Sequence, residues 1–116
     1  MFNIFFSVAK LPGYTDIYIG NLSYQTQRED LIAYVQQLLG RELDTSLIFP
    51  DSEDPKERRL QKEYVTIIFD RDTGRSRGFG FMQIADEDAP ALIEAMNGKD
   101  FQGRALRVNV ARSRDE

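Results

Sequence analysis

Arg77-Gly78-Phe79-Gly80-Phe81-Met82-Gln83-Ile84 decides the fold of this 116-residue chain. A β-strand sends alternate side chains to opposite faces. Arg77, Phe79, Phe81 and Gln83 then share one face, and Gly78, Gly80, Met82 and Ile84 the other. Two phenylalanines beside an arginine, on an open sheet surface, form a platform on which unpaired bases can stack. The glycines of the reverse face are expected to let a helix pack close behind the strand. A sheet that buries its aromatics under a helix is the competing reading. It is disfavoured because the reverse-face residues of the same strand already occupy the hidden positions.

Working outward, Ile17-Tyr18-Ile19-Gly20-Asn21-Leu22 alternates in the same way and presents Tyr18 on one side, Ile17 and Ile19 on the other. Tyr64-Val65-Thr66-Ile67-Ile68-Phe69 is rich in β-branched residues, and Asp70-Arg71-Asp72-Thr73-Gly74 has turn chemistry, so a hairpin should join it to the Phe79 strand. Thr26-Gln27-Arg28-Glu29 reads as a capping box. Leu31, Ile32, Val35, Leu38 and Leu39 follow at helical spacing, with Gly40 as the stop. A second helix is expected from about Asp88, with Pro90 in its first turn, an apolar face of Ala91, Leu92, Ala95 and Met96, and Asn97-Gly98 at its end. Leu106, Val108 and Val110 alternate with Arg107 and Asn109 in a last strand that follows a Gln102-Gly103 turn. The order is β-α-β-β-α-β, with two helices covering one sheet face.

The octapeptide follows the signature basic-Gly-aromatic-Gly-aromatic-apolar-x-aromatic at seven of eight positions, and residues 17–22 resemble its six-residue companion. Both in this order make residues 16–112 similar to the RNA recognition motif family, most of all to its compact bacterial members. The resemblance implies an α+β, ferredoxin-like fold, a four-stranded antiparallel sheet backed by two helices. It implies single-stranded RNA binding, in RNA metabolism or post-transcriptional regulation. By resemblance, Tyr18 and Phe79 stack two successive bases, Phe81 packs against sugar rings or a neighbouring base, and Arg77 pairs with phosphate. Arg107, Asn109 and Arg112 lie where last-strand residues of the family contact base edges. Gln83 on the platform face and Arg75 in the basic approach complete the candidate set.

The net charge of −4 argues against a polyanion partner until its distribution is read. Residues 71–84 sum to +2 and residues 104–114 to +4, which leaves −10 on the rest of the chain. Charges act within a Debye length of about 8 Å at physiological salt. A basic face on an acidic body therefore attracts phosphate locally.

Composition excludes other chemistries. With no cysteine and no histidine, the chain lacks thiol catalysis, disulfides, the usual general base and the commonest zinc ligands. Asp70 and Asp72 could hold a cation, but paired acids in such a turn more often stabilise it. Gly78-x-Gly80 within a strand is no dinucleotide loop. No enzyme activity, cofactor or metal is expected. No apolar run reaches the roughly 18 residues of a membrane span, and the apolar start lacks a leading basic residue, so neither membrane nor secretory signal is expected and cytoplasm is the default.

Three features depart from the family pattern. Ile84 stands where the signature has an aromatic, a core-facing position whose change repacks the interior. Residues 41–62 are inserted between the first helix and the next strand, and contain the apolar Leu47-Ile48-Phe49, an acidic turn, and an isolated Leu60. A loop of that length without structure would be unusual. Residues 1–15 form an extension in which Phe2, Ile4 and Phe6 alternate, expected either to pair with residues 45–49 as an extra strand or to remain a weakly ordered tail. Residues 113–116 form a short C-terminal tail. The extension and insertion are also the candidate surfaces for a homodimer or a protein partner. A protein-interaction module on the same scaffold, or single-stranded DNA binding, are the alternative functions.

Overall fold

The computed structural model describes residues 13–48 and 60–111. Strand alternation and helical spacing resolve into β1 (Tyr14–Gly20), α1 (Arg28–Leu39), β2 (Leu47–Ile48), β3 (Leu60–Gln61), β4 (Tyr64–Phe69) and β5 (Ser76–Ala85). These are followed by α2 (Ala89–Met96), β6 (Asp100–Phe101), β7 (Arg104–Ala105) and β8 (Arg107–Val110). The longer strands form one antiparallel sheet in the order β4-β5-β1-β8. One face buries Ile17, Ile19, Val65, Ile67, Met82, Ile84 and Val108 against Leu31 and Val35 of α1 and Ala89, Leu92 and Met96 of α2. The α+β architecture with two helices on one side of a four-stranded sheet is therefore the one the resemblance implied. Ile84 is fully buried, in the core position read for it.

Local corrections have local causes. α1 begins one residue later than the capping reading placed it. Gln27 is the N-cap, and its amide donates to Asp30 Oδ2 at 3.0 Å. Thr26 lies one residue before the cap, and its hydroxyl donates 2.6 Å to Gln102 Oε1 in a tertiary contact. Leu38 and Ala91, expected on the apolar faces, are exposed, and Ala89 takes the buried place in α2. The Gln102-Gly103 turn closes a short hairpin, β6 with β7, both turn residues having positive φ (53° and 88°).

The glycines of β5 serve neighbours other than a helix. A Cβ on Gly80 would stand 2.1 Å from the Thr66 carbonyl oxygen and 3.1 Å from Ile67 Cα. The bare backbone therefore admits strand β4, beside an irregularity in the register between Ile67 and Phe69.

The insertion folds back on itself. Leu47–Ile48 pairs with Leu60–Gln61, so Leu60 lies in a strand. The expected pairing with residues 1–15 concerns a segment mostly outside the described residues. The return is anchored by Glu63, which is 1% exposed. Its carboxylate accepts two guanidinium N–H groups of Arg41 at 2.8 Å, the Asp44 amide at 2.8 Å and the Ala85 amide at 3.1 Å. Arg41 also donates to Asp88 at 2.7 Å, tying the insertion to the start of α2.

Burial alone would push the Glu63 carboxyl up, but Arg41 and the two amides outweigh it and hold it below the ordinary 4.5. Glu63→Gln keeps the shape and removes the charge. Breaking a buried pair costs about 3–5 kcal/mol; here about 2–3 is expected, since the Arg41 side chain is 37% exposed and retains Asp88. Urea unfolding at pH 7 measures it. A depressed carboxyl contributes stability that is complete above its unfolded value and is lost as pH falls through the folded one. The wild type should lose that increment below about pH 4.5, whereas Glu63→Gln should not.

Candidate nucleic-acid interface

The face of the sheet opposite the helices is built from three cross-strand rows. Arg107, Gly20 and Phe79 lie side by side, as do Asn109, Tyr18, Phe81 and Thr66, and then Asp16, Gln83 and Tyr64. Gly20 leaves a gap in the first row, and the Tyr18 ring fills it. A Cβ on Gly20 would fall 2.5–2.8 Å from the Tyr18 ring and hydroxyl. The glycine thus lays the tyrosine flat along the strand.

Three rings meet there. Tyr18 and Phe79 are 5.9 Å apart, tilted by 33°, and both are half-buried. Phe81 lies edge-on to each, 5.8 Å from Tyr18 and 5.9 Å from Phe79. Such edge contacts add about 0.5–1.5 kcal/mol beyond burial and lock the rings against one another. The Arg77 guanidinium stands 5.9 Å from the Phe79 centroid, within cation–π reach.

The expectation of four side chains on one open surface needs correction at two of them. Phe81 is 3% exposed and forms the floor of the aromatic cluster instead of an open stacking face. Gln83 is buried, and its side-chain amide donates to the carbonyls of Gln61 and Lys62 at 3.0 and 2.9 Å. Its partners are 21 and 22 residues away in sequence, so alternation could not reveal them.

Electrically the face is graded. Arg75, Arg77 and Arg107 are exposed at one end, while Asp16 sits at the other, beside Tyr64. Burial first, and Asp16 second, push the Tyr64 phenol up to about 12. Asn109 is exposed, and its Oδ1 accepts the Val110 amide at 2.8 Å, leaving Nδ2 as its donor towards a ligand. Arg104 adds nothing comparable: its guanidinium is held on Asn21, Nη2 to Oδ1 at 2.6 Å. Arg112 lies outside the described residues. Asp70 behaves as a turn former, its Oδ1 accepting the Asp72 and Thr73 amides at 2.8 and 3.0 Å. Those amides hold its carboxyl below the usual range.

Sequence reading passed over Tyr24 and Phe69, both exposed at the arginine end of the sheet. The only signal for Tyr24 is an aromatic residue in a turn-rich stretch with no alternation to bury it. Phe69 read as an ordinary strand residue.

A family model described as RNA recognition motif matches residues 61–107. The chain is 37% identical to the protein RbpA of Synechocystis sp. over 100 residues, which are 85% of this chain and 78% of that protein. It is 40% identical to glycine-rich RNA-binding protein 8 of Arabidopsis thaliana over 84% of this chain, spanning 46% of that longer protein. A crystal structure titled RNA Binding Protein PG1 is similar at a TM-score of 0.60 and 35% identity, covering 88% of this chain and 99% of that one. With RbpA and the PG1 structure that similar along most of both chains, and a sheet carrying both signature strands at its centre, the chain belongs to the RNA recognition motif family.

Proposed function

We propose that this chain binds single-stranded RNA on the β1–β5 face, with residues 16–112 as the binding unit. The observation that carries the reading is the locked pair of half-buried rings, Tyr18 and Phe79, beside exposed guanidiniums. Two successive bases stack on those rings, with Phe81 as their support. Arg75, Arg77 and Arg107 neutralise phosphates, and Asn109 reads a base edge. The name of the Arabidopsis relative, an RNA-binding protein, agrees with this. Stacking contributes about 1–3 kcal/mol per base. Two platforms with their phosphate contacts then supply much of the roughly 8 kcal/mol of a micromolar complex.

Fluorescence anisotropy with short U-, A-, C- and G-rich RNA, titrated at several salt concentrations, tests the reading. Three phosphate contacts on a single strand give a slope of log affinity against log salt of about −2. Affinity should therefore drop roughly fifteenfold between 50 and 200 mM salt. Micromolar binding with that slope supports the platform, and flat titrations at 100 μM protein and low salt would remove it. Matching DNA oligonucleotides of equal affinity would widen the ligand to single strands of either sugar.

A further inference from the structure

Among the described residues, Tyr24 and Phe69 are the two most exposed aromatic side chains, at 75% and 51%. They come from the turn after β1 and the end of β4, and together flank an open cleft of about 730 Å³. That volume falls within the roughly 300–1,000 Å³ of sites that take a small ligand. Tyr24 is seated against bare backbone. Gly78 has φ +84°, and a Cβ there would stand 3.1 Å from the tyrosine ring. An aromatic held this way loses little further freedom when a flat ligand stacks on it.

The same cleft is lined by Arg75 and Arg77. Its acid, Asp70, has one oxygen engaged by two turn amides. Arg77 also reaches over the Phe79 ring, so the cleft is continuous with the aromatic platform. Basic lining and that continuity favour a nucleic-acid strand over an apolar protein surface, which offers no anion to the arginines.

We propose that this cleft seats a further nucleotide of the same RNA strand, beyond the two on Tyr18 and Phe79. Its base stacks on Tyr24 and Phe69, and its phosphate pairs with Arg75. The inference rests on the platform reading above and extends it from two nucleotides to at least three.

The test uses the full chain and the best-binding homopolymer of the four, fluorescein-labelled, as a dinucleotide that fills only the platform and as an eight-mer. Affinities are corrected for the number of binding registers. The wild type should bind the eight-mer about tenfold more tightly. Tyr24→Ser and Phe69→Ser should keep dinucleotide affinity within about twofold and lose most of the length advantage, whereas Phe79→Ala should weaken both lengths. Circular dichroism checks the fold, and Tyr24→Leu, which still covers Gly78 but offers no aromatic face, replaces Tyr24→Ser if that variant melts early. A length advantage retained in both ring variants would overturn the cleft assignment, leave those rings to a protein partner, and leave the platform standing. Unchanged binding in Phe79→Ala would overturn the platform, and the cleft assignment with it.

Discussion

Gly80→Ala is expected to lower stability by at least about 3 kcal/mol, a large part of the roughly 5–15 kcal/mol that holds a domain together. The added methyl has no volume to occupy, since it would lie 2.1 Å from the Thr66 carbonyl oxygen. That oxygen belongs to strand backbone, so relief requires β4 to separate from β5 and not merely a rotamer change. Overpacking against mobile side chains costs about 1–3 kcal/mol, and a backbone obstacle belongs at or above the top of that range. The melting temperature should fall by roughly 10–20 °C. Gly74→Ala is the control: its φ of +75° is strained for alanine, but nothing lies within 4 Å of the new methyl. Only a left-handed backbone penalty of about 1–2 kcal/mol is expected there. Equal losses in the two variants would show that the Thr66 carbonyl yields to the new methyl and that space at position 80 is not limiting.

Phe79→Ala is expected to weaken RNA binding at least fivefold while the protein remains folded. Removing one stacking face forfeits about 1–3 kcal/mol, which is roughly five- to 150-fold in affinity. The half-buried ring lies outside the helix-side core, so unfolding should report a far smaller change than for Gly80→Ala. Salt dependence separates the contributions within the site. Phe79→Ala removes no charge and should leave the slope unchanged. Arg77→Gln should flatten it by about 0.7, the contribution of one phosphate contact on a single strand. Anisotropy across three salt concentrations reads both numbers. Wild-type affinity in Phe79→Ala would sink the stacking mechanism.

Phe81 behaves differently from its neighbour although the two are indistinguishable in the signature. It is the buried floor on which Tyr18 and Phe79 lean. Phe81→Ala should therefore damage folding and binding together, and its loss of affinity would say nothing specific about stacking.

By itself the sequence determined the order of the four long strands and two helices, the alternation of side chains along those strands, and the side of the sheet covered by helices. Those follow from periods of 2 and 3.6 residues, which any local stretch displays. Tertiary structure decided which same-face residues stay open. It buried Phe81 and Gln83, engaged Thr26 with Gln102, pinned Arg104 on Asn21, and closed Arg41 onto Glu63. It also decided why Gly80 is glycine, and it brought Tyr24 and Phe69 to one cleft from positions 45 residues apart. Periodicity reports the direction of a side chain; distance to a partner in another strand or loop is set only when the sheet closes.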